Sequence, residues 1–181
     1  MNNSTEGVTL LAAFINDVIS EVSKLNIDMK DLLAYTEGYD VKNIYNHVPI
    51  TIYNDMCAWV EDKLGEETLK NIGRNIGETV YSGLLSNGII QEDTTPLALM
   101  EGLVIAASAM INDPQDRGWE IINSDSNSLE MRRTQTFNSK LQLGLLRGLM
   151  EKCPKVKTVS VSYTKEIAKG DKFDQYLVRW S

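Results

Sequence analysis

Between Arg117 and Ser181 the residue pattern reads strand, turn, strand, helix, strand, turn, strand, and few folds accommodate that order. Trp119 to Asn123 and Leu129 to Thr134 flank Ser124, Asp125, Ser126, Asn127 and Ser128, a run of turn formers that joins two strands as a hairpin. Val159, Val161 and Tyr163 then alternate with Thr158, Ser160 and Ser162, which gives a strand with one buried face. Lys169, Gly170 and Asp171 make the second turn, and Phe173 to Trp180 closes the sheet. Between the hairpins, Thr136 to Lys152 carries Leu141, Leu145 and Leu149 with Leu146 and Met150 beside them, and it sets Gly144 and Gly148 one turn apart. A strip without side chains admits another backbone at close range, and the expected neighbour is the sheet that this helix crosses.

The preceding residues are helical. Val8, Leu10, Leu11, Phe14, Ile15, Val18, Ile19, Val22 and Leu25 predict one amphipathic helix behind a Ser4/Thr5 cap. Asn26 to Val48 is irregular, with Tyr35, Tyr39 and Tyr45 spaced through it. Pro49 stands where a first helical residue is tolerated, and Ile52, Tyr53, Met56, Trp59, Val60 and Leu64 mark a helix that Gly65 ends. Glu66 to Asn87 has Leu69, Ile72, Ile76, Val80, Tyr81, Leu84 and Leu85 at helical spacing, with Gly73 and Gly77 in the same stripe. Each interior glycine costs about 1 kcal/mol relative to alanine, and close packing is the usual compensation. Thr95 as cap and Pro96 open a further helix, Leu97 to Ile111, small on several sides and so expected to be buried or to line a cavity. The expected fold is α+β: an N-terminal helical layer, residues 1–111, packed on a four-stranded antiparallel sheet with a central crossing helix, residues 117–181. Its 181 residues fit a single domain.

Several function classes conflict with the composition. A net charge of −7, with the basic residues scattered, argues against a nucleic-acid surface. No apolar run is long enough to span a bilayer, and the start, Met1 to Glu6, has no basic region ahead of an apolar core. Cys57 and Cys153 stand far apart without a CxxC, so neither a disulfide framework nor a structural zinc site is expected, and a reducing cytoplasm fits. No nucleophile beside a base, paired carboxylates, HExxH, GxSxG or phosphate loop is present, so the expectation is a protein that is not an enzyme.

One arginine stands out. If Leu129 and Met131 face the core, Arg133 shares their side of the strand, and a charged side chain aimed inward needs an acidic partner, a ligand, or a route to solvent at the strand's end. Its neighbour Arg132 reads as a solvated strand edge. Trp59, Trp119 and Trp180 read as packing anchors, since no basic groove accompanies them.

This pattern resembles the heme-NO/oxygen-binding (H-NOX) superfamily, whose relatives include vinyl-reductase-like small-molecule-binding domains and TRAPP-type tethering subunits. The resemblance rests on Leu129 to Arg133, on Leu145-Leu146-Arg147-Gly148-Leu149, on Val159 to Tyr163, and on Gly170-Asp171 followed by Tyr176-Leu177-Val178-Arg179-Trp180. It implies a sensor or binding domain and, in its heme-carrying members, a Tyr-x-Ser-x-Arg motif for the propionates and a proximal histidine. By position that motif falls on Met131, Arg133 and Gln135, none of which matches, and Leu97 to Ile111 contains no histidine. Heme would therefore have to use His47, the one histidine of the chain.

The expectation is accordingly a non-enzymatic, H-NOX-like sensor or binding domain for a small hydrophobic molecule, without the usual heme ligation. Phe14, Val80, Leu84, Met100, Leu103, Ala107 and Met131 are the expected lining, with Arg133 as polar anchor. Two alternatives stand beside it. One is a protein-interaction module whose partner is a second copy of the chain or a signalling protein, with the glycine stripes as helix contacts within or between chains. The other is a heme-based gas sensor using His47.

Overall fold

The computed structural model describes residues 3–181; Met1 and Asn2, at the head of the polar start, lie outside the described residues. The first difference from the sequence reading comes at once. Thr9–Leu11 is not the start of a helix but a strand, β1, and helix α1 begins only at Ala12 and runs to Ser23, without a side-chain cap. β1 lies between β2 (His47–Pro49) and β3 (Ile111–Asn112), with Leu10 opposite Val48 on one side and Ile111 on the other. All three side chains are buried. A short apolar run fits either period, and pairing with two distant segments decides it. This small three-stranded sheet has no local signal in the sequence.

The other helices follow their punctuation. α2 is the single turn and a half Lys30–Ala34. Pro49 serves as the N-cap of α3 (Ile50–Leu64) rather than its first residue. Gly65, at φ 88°, turns the chain directly into α4 (Glu66–Ser86), a conformation that L side chains adopt rarely. Thr95 caps α5 (Pro96–Met110) by accepting a hydrogen bond on Oγ1 from the Ala98 amide at 3.2 Å. Among the described residues no helix is long and apolar enough to cross a membrane.

The C-terminal part is the expected four-stranded antiparallel sheet, in the order β4 (Trp119–Ser124), β5 (Ser128–Arg133), β7 (Asp174–Trp180), β6 (Val159–Lys165). Helix α6 (Ser139–Glu151) starts three residues later than the spacing suggests, because Asn138 caps it by accepting from the Lys140 and Leu141 amides at 3.1 Å. It is tied to the sheet where the Tyr176 hydroxyl donates to the Ser139 carbonyl at 3.2 Å.

The glycines of α6 do not meet the sheet, as their spacing had suggested, but face α4. A Cβ on Gly144 would overlap the backbone of Lys70, and one on Gly148 would overlap that of Arg74. Gly73 and Gly77 return the relationship, lying against the backbone of Leu141 and of Leu145 to Leu149. Four glycines on two helices thus form one seam in which main chain rests on main chain. The compensation for four helix-weakening residues is this approach, with Leu69, Ile72, Leu145 and Leu149 buried around it. Arg74 pairs with Glu151 along its edge.

Candidate functional site

The helices α1, α4, α5 and α6 each turn one stripe toward a common point under the sheet. α1 supplies Phe14 and Asp17, α4 Ile76 and Val80, α5 Leu103, Ala106, Ala107 and Met110, and α6 Gln142 and Leu145. These are i, i+3 and i, i+4 spacings, so each helix contributes a single face. Ile111, Trp119, Arg133 and Phe137 complete the wall of a mostly apolar cavity of about 70 Å³. Beside it, between α1, α4 and α5, runs an open groove of about 510 Å³ that shares Asp17, Val80, Ala106 and Met110 with the cavity wall.

Of the eight residues expected to line a site, Phe14, Val80, Leu103, Ala107 and Arg133 meet at this cavity, and Leu84 lines the adjoining groove. Met100 and Met131 are elsewhere: both are wholly buried in the core and line neither space. Trp119 and Phe137 were not among the expected lining residues. Trp119 was findable, because it stands opposite Arg133 in the β4–β5 pairing, whereas Phe137 sits in the link between β5 and α6, where no periodicity marks it.

Arg133 is the chemical centre of the site. It is 2% exposed, so the route to solvent is closed, and no acidic side chain among the described residues pairs with it. Its guanidinium carbon lies 4.1 Å from the Phe137 ring centroid and 4.9 Å from that of Trp119. One hydrogen bond, from Nη2 to Gln135 Oε1 at 2.7 Å, holds it, while Nε is buried without a partner. Gln135 in turn donates to Asp113 Oδ2 at 3.1 Å. That carboxylate is already engaged by Arg117, whose Nε donates to it at 2.8 Å with both side chains buried. Burial lowers the Arg133 pKa to about 9, against the opposing pull of Tyr176, Tyr53 and Asp113. The other ionisable group in the wall, Asp17, has its carboxyl pushed up to about 6 by burial and by the neighbouring Glu21.

The remaining sequence candidates lie apart from this site. His47 is exposed on β2, its Nδ1 3.3 Å from Thr9 Oγ1. Arg132 is a half-exposed strand residue that pairs with Glu120 and covers Phe173. Cys57 is fully buried, and burial raises its thiol pKa, so it is inert; Cys153 is likewise buried and free. No cluster of histidine, cysteine or acidic residues suited to a metal ion exists among the described residues.

Comparison with solved structures gives the fold a name. An H-NOX protein from S. oneidensis in its Fe(II)NO ligation state matches with a TM-score of 0.71 over 95% of this chain and 99% of its own, at 12% identity. An H-NOX structure from a study of heme distortion matches at 0.64 and 16% identity, covering 95% of both chains. An Fe(II) unliganded H-NOX variant from K. algicida matches at 0.60 and 13%, over 95% of this chain and 97% of that one. The chain has the H-NOX fold. No family model and no curated protein matches its sequence.

That fold raises the question of heme, and the residues present do not fit it. The polar groups of the cavity wall are Asp17, Arg133 and Gln142 with the Trp119 indole, and the groove adds Thr79 and Asn87. Neither space has an imidazole, thiolate or phenol to ligate iron, and the one side chain with a possible ligand atom, the Met110 thioether that borders both, has no histidine opposite it. Every side chain that α5 turns to the cavity is apolar, and His47 lines neither space.

Proposed function

We propose that this chain is a non-enzymatic sensor or binding domain that uses the H-NOX fold without heme and takes a small, largely apolar molecule into the cavity between α1, α4, α5 and α6. The observation that carries this reading is the convergence of Phe14, Val80, Leu103, Ala107 and Arg133 on one apolar space. Occupancy there would touch four helices and the sheet at once, which is how a bound molecule biases one conformation over another. In this reading residues 1–181 act as one unit in a reducing, cytoplasmic setting, and a second protein, either another copy or a signalling partner, reads the state of the helices. In the alternative reading, an interaction module with a closed cavity, the glycine stripes serve as contacts within the chain, between α4 and α6, and the partner has to be met by another surface.

Native mass spectrometry of the purified protein against its denatured mass tests the proposal. Extra mass that leaves on denaturation is the expected result and sizes the ligand directly. A bare chain that also shows no cavity response to added small apolar molecules would count against it.

A further inference from the structure

The reading of the cavity as a ligand site leaves the chemistry of the ligand open, and Arg133 narrows it. A buried guanidinium ordinarily has a carboxylate against it, since an unpaired charge in an apolar interior is expensive. Here Asp113 is held by Arg117 and reaches Arg133 only through the neutral amide of Gln135, and Asp174, buried opposite Arg133 in the β5–β7 pairing, forms no ion pair with it and accepts from the Ile167 amide at 2.9 Å instead. The two rings beside the guanidinium fix its plane and supply no countercharge. What remains is a preset cation in the cavity wall, one N–H engaged by Gln135 and its Nε–H buried and unpaired. A planar carboxylate is the group whose geometry matches that fork.

Size and charge select further. An apolar cavity of about 150 Å³ takes benzene, so one of about 70 Å³ has room for roughly three heavy atoms, enough for a carboxylate, and a larger body extends into the adjoining groove that shares Val80, Ala106 and Met110 with the wall. A dianion such as phosphate is disfavoured, because one cation serves the site and the second ionisable group of the wall is the acid Asp17. Apart from Arg133, Gln142, Asp17 and the Trp119 indole N–H the wall is apolar, so the body of the ligand is hydrocarbon.

We propose, building on the cavity reading, that the ligand is a short apolar monocarboxylate whose carboxylate rests on Arg133 in the cavity and whose hydrocarbon part passes between Val80, Ala106 and Met110 toward the adjoining groove. The acid brings the countercharge that the fold withholds. Recognition is therefore of one negative charge on a small greasy body, and a neutral molecule of the same shape leaves the guanidinium as it was.

Isovalerate and its neutral isostere isovaleramide provide the test, titrated separately into the ¹⁵N-labelled full chain. The expected result is that isovalerate binds at least tenfold more tightly, shifting the Arg133 Nε–H and Trp119 indole resonances, and that the preference disappears in Arg133→Met. Equal binding of acid and amide by the unmodified protein overturns the carboxylate inference and leaves the cavity reading standing. A preference for acid that survives in Arg133→Met overturns it too, by placing the anion elsewhere. If neither compound moves any cavity resonance, the carboxylate inference falls, and a mass retained in native mass spectrometry decides separately whether the cavity reading stands.

Discussion

Trp119 and Arg133 are cross-strand neighbours in the β4–β5 pairing, and the indole ring lies 4.9 Å from the guanidinium carbon. The contact holds a charge in the interior without neutralising it. With its pKa lowered to about 9 the group is still protonated at neutral pH, so the desolvation penalty is fully present there and is relieved only as pH rises above that value toward the ordinary guanidinium range. Arg133→Met is therefore expected to raise the stability of the ligand-free protein by about 1–2 kcal/mol in urea unfolding at pH 7, net of the lost ring contacts. A fall in stability would mean that the two rings outweigh the desolvation.

Glycine substitutions should separate into two sharply different classes. Gly144→Ala or Gly148→Ala drives a Cβ into the backbone of α4, where nothing can rotate aside, and is expected to remove about 3 kcal/mol or more or to prevent folding. Gly83→Ala, in the same helix as the partner backbone but with open space around it, is expected to add about 0.5–1 kcal/mol. Circular dichroism melts of the three variants would read this contrast.

The Asp17 carboxyl, raised from 3.8 to about 6, gives a pH dependence of definite sign. Between those values the folded chain binds a proton that the unfolded chain has released, so this residue's contribution makes stability fall as pH rises and leaves its full penalty in place at pH 7. Asp17→Asn is expected to stabilise by on the order of 2 kcal/mol at pH 7, with the gain vanishing below the ordinary carboxylate range. Chemical denaturation of both proteins across pH 3.5–7.5, an interval set by roughly the range of carboxylate titration, would check it.

The buried Arg117–Asp113 pair should behave in the opposite way to Arg133. Burial alone would raise the Asp113 carboxyl, but hydrogen bonds from Arg117, the Gln115 amide and Gln135 hold it below its ordinary value. It therefore contributes stability above that ordinary value and loses it as pH falls through the folded-state one. Asp113→Ala takes the carboxylate from Arg117 and breaks the link to Gln135, and is expected to destabilise by about 3–5 kcal/mol in urea unfolding.

Filling the cavity is a separate test. Ala107→Val places two methyl groups in the space and is expected to raise stability by about 1 kcal/mol while abolishing the response of cavity resonances to added ligand. Unchanged ligand uptake in this variant would place the binding site in the open groove instead.

The sequence was most informative where a single element carries its own pattern. The Ser124–Ser128 turn, the Thr95–Pro96 helix start, the alternation from Val159 to Tyr163 and the inward side of Arg133 all follow from local periodicity or turn chemistry. It was least informative where two distant segments decide the outcome. Leu10 is a strand residue because Val48 and Ile111 lie beside it, and Gly144 faces α4 because Lys70 and Arg74 expose backbone there. The site divides in the same way. Phe14, Val80, Leu103 and Ala107 lie on helical stripes, but the choice of these positions over Met100 depends on helix rotation of a fraction of a turn, which spacing does not set, while Met131, on β5 opposite Tyr176, shares the inward side of Arg133 yet is packed into solid core. Phe137 belongs to a capped link, and the diversion of Asp113 to Arg117 is a matter of three dimensions only.

The four-glycine seam bears on how motion could pass through the molecule. Most helix pairs meet through side chains that can change rotamer and absorb a displacement. Along Gly73, Gly77, Gly144 and Gly148 that compliant layer is missing, so α4 and α6 behave mechanically as one stiff plate. Ile76 and Val80 on one edge of that plate border the cavity, and Leu145 borders it from the other helix. Anything that pushes on α4 from within the cavity must either tilt the whole plate against the sheet or move nothing.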